Sequence, residues 1–282
     1  MIESSPNLIP CAPVRPVAAY IGGKRNLARL VIERLRGVPH DIYVEPFVGM
    51  GGVFLRRPFK VRSEVINDIS QDVATLFRVL QRHYVPLMDM LRWQITSRVE
   101  FERLTAATAD SLTDLERAAR FLYLQRTAFG GRVAGRNFGV SPGSAGRFDV
   151  TKLGTMLEDV HERLAGVVIE RLPWPDLLRR YDRPETLFYL DPPYWGSEDD
   201  YGPGVFAQGD FERLAEALAC LKGNFLLSLN DRPEVRHTFR AFQIEGVTTT
   251  YTIARGGSHP VGEVLISNPL RTRFKRPLRA SK

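Results

Sequence analysis

The residues best placed to do chemistry are Asp191-Pro192-Pro193-Tyr194, which directly follow the apolar run Leu187–Leu190. A strand over that run delivers them to the carboxyl edge of a sheet, where open α/β sheets bind ligands. Two successive prolines stiffen the backbone and remove two amide donors, so the carbonyls are aimed by a rigid frame. Asp191 adds a fixed acceptor and Tyr194 an aromatic face. This set suits work on the exocyclic amine of a nucleobase, a poor nucleophile because its lone pair is delocalised into the ring. Two acceptors, the Asp191 carboxylate and the Pro192 carbonyl, can grip the N–H bonds, draw the nitrogen toward a tetrahedral geometry and expose the lone pair. Tyr194 can then stack on a base turned out of the duplex. The bland alternative is a Pro-Pro turn that caps a strand.

A second motif lies upstream. Gly49-x-Gly51 sits between the apolar run Ile42–Val44 and an expected helix from about Val53. Small residues at such a turn let the backbone approach a nucleotide-like cofactor. Asp68, 17 residues past Gly51 and at the end of the next expected strand, can accept from ribose hydroxyls. Gly51-Gly52 leaves no third glycine in the dinucleotide spacing, and Gly22-Gly23-Lys24-Arg25 lacks the hydroxyl of a phosphate loop. A tight turn with no ligand is the plain alternative.

The elements that must position these residues can be read from periodicity. Leu27, Leu30, Val31 and Leu35 mark a helix over 24–36, and Glu64–Asn67 a strand with a helix from about Gln71. Residues 72–127 then read as consecutive helices, with Leu115, Ala118, Ala119 and Leu122 on one face. Residues 130–149 carry six glycines and read as a loop or hairpin, and a further helix follows over 153–164. Val167–Ile169, Leu187–Leu190 and Phe225–Leu229 are strands again, with a helix around Phe211–Leu218, and 244–254 and 261–267 form a terminal pair. The fold class is therefore α/β: a Rossmann-like, mainly parallel sheet interrupted by a mainly helical insert. The expected organisation is an N-terminal arm over 1–16, a discontinuous catalytic domain over 17–75 and 165–270, an insert over 76–164 and a basic tail over 271–282.

The chain has 282 residues, 44% of them hydrophobic and 25% charged, enough to bury a core without staples. Two cysteines, Cys11 and Cys220, exclude a disulfide scaffold, and the scattered histidines give no metal-ligand spacing. No apolar run reaches the ~18 residues of a membrane span, and no signal peptide opens the chain, so a cytoplasmic protein without membrane or metal is expected. The net charge is +7, concentrated in two places. Residues 271–282 hold six basic side chains and no acid, and 117–148 hold Arg117, Arg120, Arg126, Arg132, Arg136 and Arg147 and no acid. Such stretches suit a polyanion partner; a solvated surface is the competing explanation.

Together these residues resemble the Dam-like D12 class, alpha group, of DNA adenine-N6 methyltransferases that use S-adenosylmethionine (SAM). The resemblance runs through most of 19–268. Tyr20-Ile21-Gly22-Gly23-Lys24 is similar to the family's N-terminal cofactor motif and Val44 to Leu55 to its glycine loop. Asn67-Asp68-Ile69 resembles the segment whose aspartate holds the ribose, and Asp176 stands where the family has an acid near the cofactor adenine. Asp191 to Tyr194 resembles the catalytic tetrapeptide. Phe121 to Gly131 resembles the signature of the recognition insert, with Gln125 where asparagine is usual and Gly130-Gly131 where asparagine-glycine is usual. Arg136-Asn137-Phe138-Gly139 resembles its DNA-contacting hairpin. Phe206 and Asp210 resemble a further pocket segment, and Ser228 to Asp231 and Glu263 to Asn268 two late strand motifs.

The resemblance implies a catalytic set of Asp191, Pro192, Pro193 and Tyr194. The implied cofactor residues are Tyr20, Gly23, Lys24, Glu45, Pro46, Phe47, Gly49, Gly51, Gly52, Phe54, Asp68, Asp176 and Asp191. The implied DNA contacts are Arg126, Arg132, Arg136, Asn137 and Arg147. It further implies SAM as donor, S-adenosyl-L-homocysteine as product, double-stranded DNA as partner, base flipping, and a monomer of bacterial or phage origin, of the kind found in restriction-modification. Cytosine-N4, RNA or protein-glutamine methylation are rivals, as is a DNA-binding protein with a decayed core; aspartate at 191 favours adenine. Pro10-Cys11 resembles the nucleophile pair of cytosine-C5 enzymes but precedes the glycine loop instead of following it. Cys220 is expected in the core, and Trp93, Trp174 and Trp195 in packing roles.

Overall fold

A computed structural model describes residues 8–24, 26–139, 143, 146–202, 204–253 and 257–269. The basic tail lies outside them. Of the N-terminal arm, residues 8–16 are described: strand β1 (Ile9–Pro10) will pair with a later strand, and Val14 donates its N–H to the Leu55 carbonyl at 2.8 Å. Helix α1 (Ala28–Arg36) buries Ala28, Val31, Ile32 and Leu35, one apolar stripe at helical spacing. Strand β2 (Ile42–Glu45) follows.

The expected helix from Val53 does not form. Gly49 and Gly51 adopt left-handed φ values of 50° and 73°, and residues 49–56 make a run of turns. That run brings the chain to β3 (Phe59–Lys60), the antiparallel partner of β1. Strand β4 (Ser63–Asn67) then leads into α2 (Gln71–Arg82), whose first turn is capped by the Ser70 hydroxyl accepting from Val73 N–H. Helices α3 (Tyr84–Leu91), α4 (Arg98–Ala106), α5 (Asp114–Thr127) and α6 (Val150–Arg163) complete the insert. The α5 start is fixed by a capping box between Thr113 and Glu116. Between α5 and α6 the expected loop or hairpin is irregular; its described residues include a lone bridge from Ala128 to Phe138. Strand β5 (Val168–Glu170), α7 (Trp174–Tyr181), β6 (Thr186–Leu190), α8 (Asp210–Ala219), β7 (Asn224–Asn230), α9 (Pro233–Thr238), β8 (Gln243–Ile253) and β9 (Gly257–Ser267) finish the described chain.

The sheet has seven strands in the order β5-β4-β2-β6-β7-β9-β8. The first five run parallel, and the β8–β9 hairpin adds two strands in which β9 is antiparallel to β7. This is the expected α/β, Rossmann-like sheet. Alternation along each strand sends neighbours to opposite faces. Tyr43, Ile66, Leu187, Tyr189 and Leu226 enter a core shared with α1 and the insert helices. Val44, Val65, Phe188, Leu190, Phe225 and Leu227 enter a second core under α7, α8 and α9. Residues 75 and 76 fall inside α2, and Leu76, Leu80, Phe121, Leu122 and Leu157 share the first core with the sheet.

Candidate active site

Strands β2 and β6 are parallel neighbours, but the chain leaves them in opposite directions, β2 toward β4 and β6 toward β7. Their carboxyl ends therefore open a crevice at a topological switch point, the position where such sheets bind ligands. The glycine loop leaves β2 on one side of it and Asp191 leaves β6 on the other. Between them lies a cavity of about 680 Å³. Of the residues singled out in the sequence, Tyr20, Gly23, Lys24, Glu45, Phe47, Gly49, Gly52, Asp68, Asp191 and Pro193 line it, as does Arg126, expected instead at the DNA.

Local chemistry explains the loop. A Cβ on Gly49 would stand 3.1 Å from the Tyr20 ring, in addition to the strain of its left-handed φ. Gly51 does not line the cavity; a Cβ there would meet the Leu55 side chain at 2.8 Å, so its role is the turn itself. Asp68 holds the loop from the neighbouring strand, its Oδ2 accepting from Gly49 N–H and its Oδ1 from Ser70 N–H, both at 2.9 Å. Burial pushes its pKa up to about 6, against the pull of those two bonds. Asn67 beside it donates to the carbonyls of Pro46 and Leu172 and accepts from Leu172 N–H, bracing the β2 loop against the β5 loop.

Other members of the expected set stand apart from the cavity. Phe54 is fully buried in the first core, stacked on Tyr43 and covered by the guanidinium of Arg163. Pro46 is buried, and its carbonyl serves the Asn67 brace. Asp176 opens α7 and pairs with Arg179 one turn on. Glu45 does face the cavity, yet its Oε2 accepts from the buried Tyr43 hydroxyl at 2.6 Å. Burial, reinforced by the nearby Asp191 charge, pushes its pKa up to about 8.

Asp191 sits in a dense polar setting. The Lys24 ammonium lies 2.6 Å from its Oδ1, and the Ser228 hydroxyl donates to the same oxygen at 3.0 Å. Burial raises the Asp191 pKa, and the Lys24 charge works against that rise. Lys24 is buried and also lies 4.3 Å from the Tyr194 ring centroid. The Tyr194 hydroxyl donates to Glu263, which is fully buried on β9. Trp195 packs on Phe211, 4.9 Å between ring centroids, while Trp174 is buried in the second core. Trp93 is instead 80% exposed, because the turn after α3 points it away from the helices. Cys220 is also exposed, because it caps α8 off the stripe of Phe211, Leu214 and Leu218 that the helix buries.

A model of D12 class N6 adenine-specific DNA methyltransferases matches residues 20–253. The chain belongs to this family. Among its relatives, the type II methyltransferase M1.LlaDCHI of Lactococcus lactis subsp. cremoris is 25% identical, the match covering 90% of this chain and 95% of that one. The type II methyltransferase M.CviBI of Paramecium bursaria Chlorella virus NC1A is 20% identical over 81% and 88%. A DNA adenine methylase of Vibrio cholerae is 24% identical over 86% and 91%.

In this adenine methyltransferase the arginines of 117–148 have unlike surroundings. Arg117 is buried and pairs with Asp72 and Asp110, and buried Arg120 donates to the Leu104 and Thr105 carbonyls. Arg126 donates to the carbonyls of Val17 and Arg147, and Arg147, itself exposed, to that of Ala128. Arg136 donates to Gln125 Oε1, while Gln125 donates to the Ala19 and Gly131 carbonyls. Arg132 and Asn137 are exposed on the same segment. Ser228, Glu263, Asn67 and Tyr201 were not singled out for the site from the sequence. Tyr201 lines the cavity and donates to the Ile21 carbonyl at 3.1 Å. Ser228 and Glu263 instead meet Asp191 and Tyr194, and Asn67 braces the two loops; their motifs resemble late and ribose-side segments of the family, but their spacing alone does not show these contacts. Among the described residues no His, Cys, Asp and Glu group is arranged to hold a metal, and no helix is long and apolar enough to cross a membrane.

Proposed function

We propose that the protein transfers a methyl group from SAM to N6 of an adenine turned out of duplex DNA. The observation that carries this reading is the convergence on one cavity of the glycine loop with Asp68 from one side and Asp191 from the other. The residues fit SAM: the loop at Gly49 has no room for a Cβ, and Asp68, Glu45 and Asp191 supply three carboxyl groups around the space. Asp68 would take the ribose hydroxyls, with Tyr20, Gly23, Lys24, Phe47 and Gly52 completing the walls. SAM supplies a methyl group on a sulfonium, and S-adenosyl-L-homocysteine is left.

The protein's share is positioning and electrostatics. Asp191 and the Pro192 carbonyl accept from the two N–H bonds of the adenine amine. Tyr194 stacks on the base, and Pro193 keeps the turn rigid. Lys24 and Ser228 hold Asp191 in place, and the Lys24 charge opposes the rise in its pKa that burial causes. The insert over 76–164 reads the target, with Arg132, Arg136, Asn137 and Arg147 facing the DNA and Arg126 shaping their support. The basic tail adds affinity that falls with salt. The protein works as a monomer.

The test is to incubate unmethylated duplex DNA with methyl-labelled SAM, digest it to nucleosides and map the modified sites. N6-methyladenine at one short sequence is expected. Methylcytosine would overturn the base assignment, and no label in any nucleoside would overturn the DNA reading.

A further inference from the structure

From the geometry we infer that the cross-strand pair Asn230–Glu263 is a clamp that positions and polarises Tyr194 for methyl transfer; this rests on the reading above. The two residues are direct partners in the antiparallel β7–β9 register, so their side chains share one face of the sheet. Both reach the same two-residue segment. Asn230 accepts from Trp195 N–H and donates to the Trp195 carbonyl, each at 3.0 Å. Glu263 accepts the Tyr194 hydroxyl proton. The backbone after Tyr194 and the far end of its ring are thus fixed from one place.

The choice of a carboxylate has a chemical consequence. A fully buried carboxylate is costly unless it is bonded, and here it accepts from a phenol. A phenol donating to an anion gains electron density on its ring, which strengthens the attraction of the ring face for positive charge. One face of the ring already meets a cation, the Lys24 ammonium. In the reaction the N6 lone pair forms the new N–CH3 bond as the S–CH3 bond breaks. The S–C electron pair stays on a neutral thioether, and the positive charge passes to the aminopurine until one N6 proton leaves to solvent. Charge therefore appears on the stacked base only in the transition state and just after it. A polarised Tyr194 ring stabilises that charge and not the neutral ground state, which is the condition for raising kcat without lowering KM.

Glu263→Gln keeps the shape and an acceptor but removes the charge. With unmethylated duplex DNA, the single-turnover transfer rate is expected to fall about tenfold while KM for DNA and for SAM stays within about twofold. Tyr194→Phe removes the donor, so adding Glu263→Gln to it should cost no further rate. The ultraviolet resonance Raman signal of Tyr194, isolated by subtracting the Tyr194→Phe spectrum, should report a weaker acceptor in Glu263→Gln without any turnover. A Glu263→Gln enzyme with wild-type rate and an unchanged Raman signal overturns the clamp alone, since the wild type still makes N6-methyladenine. Equal losses in the Tyr194 and Tyr194→Phe backgrounds, with lowered thermal stability, also overturn it in favour of a purely structural Glu263. A wild type that makes no N6-methyladenine removes both this inference and the reading it rests on.

Discussion

Lys24 Nζ lies 2.6 Å from Asp191 Oδ1, and the same ammonium sits over the Tyr194 ring. One residue of the proposed cofactor wall thus touches two of the four residues proposed for catalysis. Burial, the larger influence, favours the neutral form of Asp191, and Lys24 favours the charged form that accepts hydrogen bonds.

Lys24→Met should therefore shift the acidic limb of the kcat/KM profile to higher pH. The sign follows from the charge: without the ammonium, protonated Asp191 persists further upward, and it cannot accept both amine hydrogens. Activity at pH 7 is expected to fall at least about tenfold, with partial recovery toward pH 9. A pH–rate profile of both enzymes checks this, and a parallel drop with no shift of the limb would contradict it.

Asp68 supplies a second pH effect. Its pKa of about 6 means that the carboxylate needed by ribose hydroxyls is protonated as pH falls through that value. SAM affinity measured by calorimetry should weaken about tenfold from pH 8 to pH 5. Asp68→Asn should bind weakly at both pH values and lose the dependence.

Glu45 affects stability in a defined direction. Its folded pKa of about 8 lies above its ordinary value of 4.5, so the folded state holds the proton more tightly than the unfolded chain does. Its contribution to stability is fullest below pH 4.5 and is lost as pH rises toward 8, by at most about 1.4 kcal/mol per unit. Urea unfolding at pH 5.5 and pH 8 should show a smaller loss of stability for Glu45→Gln than for wild type.

The arginines of the insert divide by partner. Arg117→Ala leaves half-buried Asp72 without this partner and removes a buried side chain, and should cost about 1–3 kcal/mol of stability. Arg132→Ala should leave unfolding within about 0.5 kcal/mol of wild type. It should weaken DNA binding and lower the salt slope by about 1. Denaturant melts and binding titrations across a salt series separate the two classes.

The strands were legible because each carries a short apolar run, and the two catalytic loops followed from what stands at the strand ends. The turns after Gly51 were not, because two left-handed glycines and the need to reach β3 override a helical pattern at Val53. Phe54 looked like a cofactor residue from its place in the motif, yet the turn sends it into the core beside Arg163. Ser228 and Glu263 fall in segments that resemble late strand motifs, but their contacts with Asp191 and Tyr194 were not legible, because each arises through sheet neighbours far away in sequence. The insert arginines could not be sorted for the same reason: their partners are carbonyls and acids from other elements.

In the proposed reaction Asp191 activates the adenine amine while the rest of the cavity binds the cofactor. The most direct measurement compares wild type with Asp191→Ala in single-turnover methylation of unmethylated duplex DNA, with SAM affinity measured on the same preparations. Transfer is expected to fall about a thousandfold or more, with SAM affinity changed by less than about tenfold. Transfer by Asp191→Ala within a few-fold of wild type would contradict it.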